Sequence, residues 1–167
     1  LCFCIMTANC SAEKCIEVQA KIGEGFQKLD ERELSKKLKM YGYRFPNIRA
    51  EYIVKARELQ EELKKILTIN TNLKELREWI VKNVKGIGYK EASHFLRNIG
   101  YKEYAIIDFH IIDLLIKFNI IEKPKTLTKT KYLEIEEILG KIAEELNLNL
   151  SELDLFMWYM ETGKVLK

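Results

Sequence analysis

The chain has no cysteine after residue 15 and only two histidines. Cys2, Cys4, Cys10 and Cys15 are separated by one, five and four residues, which is not a usual zinc spacing, and no histidine lies near them. They read as buried free thiols in a reduced compartment. Charge of one sign is also lacking: the net charge is only +3, so a polyanionic partner has to be met by a local basic face. There is no long apolar run. The opening Leu-Cys-Phe-Cys-Ile-Met is too short to span a bilayer and has no basic flank of the kind that marks a secretion signal. It has the pattern of a helix interior, so further residues are expected upstream of Leu1. Alternation of polar and apolar residues never runs beyond a few positions, and no segment repeats at a fixed period, which argues against a sheet or a solenoid. What is present is Lys, Glu and Ile in quantity, a composition that suits a heat-adapted source, in a chain long enough for a real core.

The expected fold class is all-α. Residues 1–8 read as the end of a buried helix, followed by a break at Ala8-Asn9-Cys10-Ser11. Ser11 caps a second helix running to about Lys21, before Gly23 and Gly25. Asp30-x-x-Glu33 has the form of a capping box and opens a helix through Lys39 or Met40. The loop Tyr41-Gly42-Tyr43-Arg44-Phe45-Pro46-Asn47 sets two aromatics, expected to be exposed, beside an arginine. A long helix is predicted from Ile48 to about Leu67, with Tyr52, Ile53, Ala56, Leu59, Leu63 and Ile66 on one face. Its other face, with Arg57, Glu58, Glu61, Glu62, Lys64 and Lys65, reads as solvated surface. Thr71 or Asn72 caps the next helix, on which Trp79 is a core residue. After Gly100 a connector, Tyr101 to Ile107, leads to Asp108 at a helix N-cap position. A helix from about Lys131 to Leu146 follows, and Ser151 or Asp154 opens a last one, stopped by Gly163.

The stretch with chemistry in it is Val84 to Leu96. One apolar face (Leu73, Leu76, Ile80, Val84) runs into Gly86-Ile87-Gly88, and a second (Ala92, Phe95, Leu96, Ile99) begins at once. Two glycines around one apolar residue make a tight turn, with Ile87 tucked back between the helices. Bare N–H groups at the start of a helix form an anion site, and the anion that suits this turn is a DNA phosphate. Taken alone, the turn reads equally well as an ordinary αα-hairpin. Lys90 follows two residues after the second glycine, and Asp108-Phe109-His110 begins eighteen residues after Lys90.

Hairpin, lysine and Asp-x-His together resemble the helix-hairpin-helix DNA glycosylases that also have lyase activity. The C-terminal stretch Asp154 to Lys167, with its Trp158 and its final lysine, and the opening Met6 to Ala12 are similar to the archaeal-type (second family) 8-oxoguanine DNA glycosylases. The resemblance implies two helical lobes, 1–102 ending in the hairpin and 103–167 bearing the acid and the base-recognition tail, with DNA in the cleft between them. It implies Lys90 as nucleophile and Asp108 as the carboxylate that stabilises the positively charged sugar. It places Lys85, Gly86, Gly88 and His110 on the DNA backbone and His94, Trp158 and Lys167 around the flipped base. Asn9 would fill the gap that base leaves, unless it is a plain turn residue, and one of Tyr43, Arg44 and Phe45 would be the wedge, unless these anchor the loop to the core. Phe109 departs from the small or polar residue frequent at its position, which leaves the aim of His110 open.

A lysine amine attacks a sugar carbon only when neutral, and its ordinary pKa is ~10.4. The first turn of a helix and partial burial both push it down, while a nearby Asp108 pushes it up. An N-cap uses one oxygen of Asp108 and leaves the other for the sugar. No organic or redox cofactor and no iron–sulfur cluster is implied, although hairpin carbonyls offer a place for a monovalent cation; no other metal is expected. The expected partner is double-stranded DNA containing oxidised guanine, bound by a single copy of a cytoplasmic protein with no membrane contact. Two rival readings stand beside this one: a non-catalytic helix-hairpin-helix DNA-binding module, and a related glycosylase acting on oxidised pyrimidines.

Overall fold

The structure, a computed structural model, describes residues 1–69 and 72–165. Among these residues every regular element is a helix and no strand occurs. The chain divides into two compact units, the first comprising Leu1–Ala92 and the second beginning at Ser93.

The first unit holds α1 (Cys2–Thr7), α2 (Ala12–Ile22), α3 (Gly25–Lys28), α4 (Glu31–Met40), α5 (Pro46–Glu58), α6 (Gln60–Ile69), α7 (Leu73–Asn83) and the start of α8 (Tyr89–Asn98). Local chemistry sets most of the boundaries. The Ser11 side chain accepts from the Lys14 N–H. Asp30 and Glu33 close a reciprocal capping box at α4, and the Asn72 side chain accepts from the Lys74 and Glu75 N–H groups at α7. The break after α1 is made by Asn9, which sits at φ 62°, a conformation that asparagine tolerates better than most side chains. α4 packs on α5, and α1 packs on both α2 and α5. Ile5, Met6, Val18, Leu34, Leu38, Ile53, Leu76 and Ile80 are sealed from solvent between these helices, each contributing roughly 1.5–3 kcal/mol of hydrophobic burial.

The long helix predicted from Ile48 is in fact two. It breaks at Leu59, at φ −88° and ψ 4°, although no glycine or proline marks the place. The cause is tertiary. Arg57, expected on a solvated face, instead donates from Nε to the Phe26 carbonyl at 2.7 Å and from Nη1 to the Leu29 carbonyl at 2.6 Å. It thereby satisfies the C-terminal carbonyls of α3 and pins the end of α5 there.

The second unit contains the rest of α8, then α9 (Phe109–Lys117), α10 (Lys129–Glu145) and α11 (Leu150–Thr162). α11 packs against both α9 and α10. The cap of α11 is neither Ser151 nor Asp154 but Asn149, which forms a capping box with Glu152. Gly163 closes this helix in the left-handed conformation, as expected. The connector before α9 is buried from Tyr104 to Ile107, so its backbone groups need internal partners. Tyr132 on α10 supplies them: its hydroxyl accepts from the Ile107 N–H at 3.2 Å and donates to the Ala105 carbonyl at 2.7 Å. Replacing Tyr132 by Phe removes these bonds and the 3.2 Å contact of its hydroxyl with Ser93 Oγ, at a residue only 2 % exposed. The expected loss is about 1–3 kcal/mol of unfolding free energy, measurable by urea denaturation, with the amides of Ala105 and Ile107 exchanging faster with deuterium.

Candidate active site

The hairpin follows the expected plan. Val84 ends α7, Ile87 is buried at 6 % exposure, and α8 starts at Tyr89. Gly86 has φ +78°, and a Cβ placed on it would lie 2.2 Å from a ring carbon of Tyr52. Both facts demand glycine here, one through the backbone and one through the packing of α5 against the turn. Gly88 is under no such constraint, and its N–H is not bare: it donates to the Glu91 carboxylate at 3.2 Å. The same carboxylate stands 3.3 Å from Lys90 Nζ. Glu91 therefore links the turn to the proposed nucleophile, a connection that a search for glycines and lysine does not reveal. Lys90 lies in the first turn of α8 with a partly open side chain, and the exposed Lys85 stands 4.0 Å from Glu51.

The wedge loop differs from its expectation in one residue. Tyr43 is 3 % exposed, and its hydroxyl donates to the Met6 carbonyl at 2.6 Å. Burial pushes its phenol up to about 12, against the pull of Arg49 beside it. Tyr43 thus anchors the loop and offers no wedge, because a phenol is amphipathic enough to seal a core while satisfying a backbone carbonyl. Arg44 is exposed, and its guanidinium carbon lies 4.9 Å from the centre of the half-buried Phe45 ring. Asn9 is exposed on its left-handed turn. Of the cysteines, Cys4 and Cys15 are buried, and all four are free. Burial raises the Cys15 thiol, with the adjacent Cys10 adding to the shift and Lys90 and Arg49 opposing it. Among the described residues no three His, Cys, Asp or Glu side chains gather to hold a metal ion.

In the second unit Asp108 is the N-cap of α9, and its Oδ1 accepts from the Ile111 N–H at 3.1 Å. The cap leaves Oδ2 unused, as the sequence suggested. His110 and Trp158, expected to serve different parts of the DNA, are neighbours: their rings meet edge to face at 6.0 Å, with Phe109 packed 3.9 Å from His110 on the other side of the sequence. Trp158 is half-buried. His94 corrects an expectation. It is 6 % exposed, within a run from Ala92 to Leu96 that is buried throughout, so little ring surface is left for a base to stack on. Lys167 lies outside the described residues.

One acid escaped the sequence. Asp154, read there as a cap, is 2 % exposed and bound to Arg97 at 2.7 Å. Burial pushes its carboxyl up to about 7, with Asp108 adding to the rise, while Arg97 and the Ile106 N–H work against it. The signal for it was faint: an acid at the fifth position of an apolar helix, one turn past the cap that local rules would assign.

A profile of the family described as 8-oxoguanine DNA glycosylase matches residues 1–148. A Korarchaeum cryptofilum protein named 8-oxoguanine DNA glycosylase/AP lyase is 54 % identical, aligned over all of this chain and 80 % of its own length. One of the same name from Methanocaldococcus jannaschii is 58 % identical over all of this chain and 81 % of its own length. The crystal structure of the Methanocaldococcus jannaschii 8-oxoguanine glycosylase/lyase in complex with 15mer DNA containing 8-oxoguanine has a TM-score of 0.94 to this fold. It is 57 % identical and covers 99 % of this chain and 80 % of its own.

Three substitutions test the site's scaffolding. Gly86→Ala meets both a positive φ and the Tyr52 ring and should lower stability by about 1–3 kcal/mol; at Gly88, where a Cβ meets only the flexible Glu91 carboxylate at 3.3 Å, the loss in a denaturation curve should be smaller. Asp154 has a folded-state pKa raised from 3.8 to about 7, so its contribution to stability is whole below pH ~3.8 and drains away as pH rises toward 7. Melting temperatures taken from pH 4 to 8 should show this decline in the native chain and lack it in Asp154→Asn.

Proposed function

The chain belongs to the 8-oxoguanine DNA glycosylase family, and from that premise we propose how its residues divide the work. The protein is a bifunctional 8-oxoguanine DNA glycosylase/AP lyase acting on double-stranded DNA that contains oxidised guanine. In a stacked duplex the glycosidic bond is out of reach, so the damaged nucleoside is turned out of the helix. Asn9 then occupies the gap and Arg44 or Phe45 holds the duplex open at the lesion. The hairpin residues Lys85, Gly86 and Gly88 hold backbone phosphate, which fixes position without reading sequence. Trp158 borders the extruded base and His110 the backbone near it.

Lys90 is the nucleophile. Its amine, once deprotonated, bonds to C1′ as the bond from C1′ to the base nitrogen breaks, and the departing base takes up a proton. Positive charge that builds on the deoxyribose is stabilised by the Asp108 carboxylate through the oxygen its cap does not use. The sugar ring opens, the amine and C1′ form an imine, loss of a C2′ proton expels the 3′ phosphate, and water releases the sugar fragment from Lys90. The observation that supports these assignments best is the pairing of a lysine in the first turn after Gly86-Ile87-Gly88 with an N-cap aspartate eighteen residues later, in a chain of this family. No helix among the described residues is long and apolar enough to cross a membrane; we place the protein in the cytoplasm, at its DNA.

Sodium borohydride reduces the imine and freezes the covalent complex. The native chain should form a covalent adduct on duplex carrying 8-oxoguanine, and Lys90→Gln should form none while still shifting the duplex in a binding assay. Full trapping by Lys90→Gln would remove Lys90 from the mechanism. Asp108→Asn, which keeps the helix cap, should slow excision by roughly 10²–10³-fold, the scale of losing one preorganised electrostatic group.

A further inference from the structure

Arg49 is the fourth residue of α5, near the end of the helix where the dipole opposes a positive charge. It is nevertheless 7 % exposed. Its Nε has no hydrogen-bond partner among the described residues. A buried cation with an open donor costs stability, so neither helix formation nor core packing accounts for it. Its contacts do. Nη2 donates to the Ala8 carbonyl at 2.8 Å, directly before the left-handed turn at Asn9. The guanidinium carbon lies 5.9 Å from the centre of the Phe45 ring and 5.7 Å from that of Tyr52. The Tyr43 phenol that anchors the loop lies within the field of its positive charge. Tyr52, in turn, is the ring packed on Gly86. One planar cation thus touches the break that carries Asn9 and the loop that carries Phe45, and reaches the hairpin through a single ring.

We infer that Arg49 is a positioning residue that locks the Asn9 turn and the Phe45 loop into one gap-filling element, and so sets how well the enzyme holds a paired lesion out of the duplex. This rests on the reading of Asn9 and Phe45 given above. Extruding a paired base forfeits its stacking and hydrogen bonds, and groups inserted in its place recover part of that loss. Two groups on separate loops lose conformational freedom as they insert; tied together beforehand they lose less. The benefit is largest when the lesion has a partner to leave, and shrinks when it has none.

The test compares single-turnover excision by the full chain on 8-oxoguanine opposite cytosine and opposite an abasic-site analogue, with 2-aminopurine beside the lesion reporting extrusion. Arg49→Met, close in length but without charge or donors, should slow excision about tenfold opposite cytosine, the scale of one lost contact. Opposite the abasic analogue the change should be under about twofold, with no partner left to break. The fluorescence amplitude should fall on the first duplex only. Arg49→Lys keeps the charge and a donor but not the planar stack, so it should fall between native and Met; it also supplies the comparison should the Met variant not fold. Equal slowing on both duplexes, or none on either, overturns the proposal. Asn9→Ala and Phe45→Ala separate the two ways of failing. If they discriminate between the duplexes and the Arg49 variants do not, the gap-filling roles stand and the positioning role falls. If none of them discriminates, both fall.

Discussion

The ring of Tyr52 lies so near Gly86 that no side chain fits between them. This contact fixes the turn: with α5 pressed against it, the chain leaves α7 at Val84, buries Ile87 and enters α8 with Lys90 in the first turn. The glycine answers to packing as much as to any ligand. The first unit can present Lys90 and its turn from a rigid base because the hairpin is braced by a neighbouring helix rather than left as a free loop.

The second unit gives Asp108 a comparable base by other means. Its connector is buried and held by the Tyr132 hydroxyl, which bonds the Ile107 N–H and the Ala105 carbonyl. Arg97 on α8 and Asp154 on α11 join two helices beneath it. In the role proposed for Asp108, a carboxylate gains from being fixed in advance, since little rearrangement is then needed when positive charge appears. The ion pair below it is of a different kind. It is buried and hydrogen-bonded, and it joins α8 to α11.

Helix ends were largely legible, because caps are local: Ser11, Asp30 with Glu33, and Asp108 each bond a backbone group three residues on. The hairpin and its lysine were legible for the same reason, being one short run of letters. What escaped depends on partners far along the chain. The break at Leu59 follows from Arg57 reaching residues about thirty positions back. Tyr43 is buried because the Met6 carbonyl, 37 residues away, accepts its hydroxyl. Arg49, Asp154 and the burial of His94 likewise follow from helices that no periodicity brings together. Asn149 is an error of another sort: three polar residues competed for one cap, and the choice was settled by the reciprocal bond to Glu152.

Glu91 has a consequence of its own. Its carboxylate already sits on the Gly88 N–H and beside the Lys90 ammonium, so the turn keeps a resident anion before any nucleic acid arrives. A phosphate that takes this N–H must first evict that carboxylate. In the role proposed for this turn, docking is a swap of one negative group for another, and Lys90 exchanges its counter-ion in the same step.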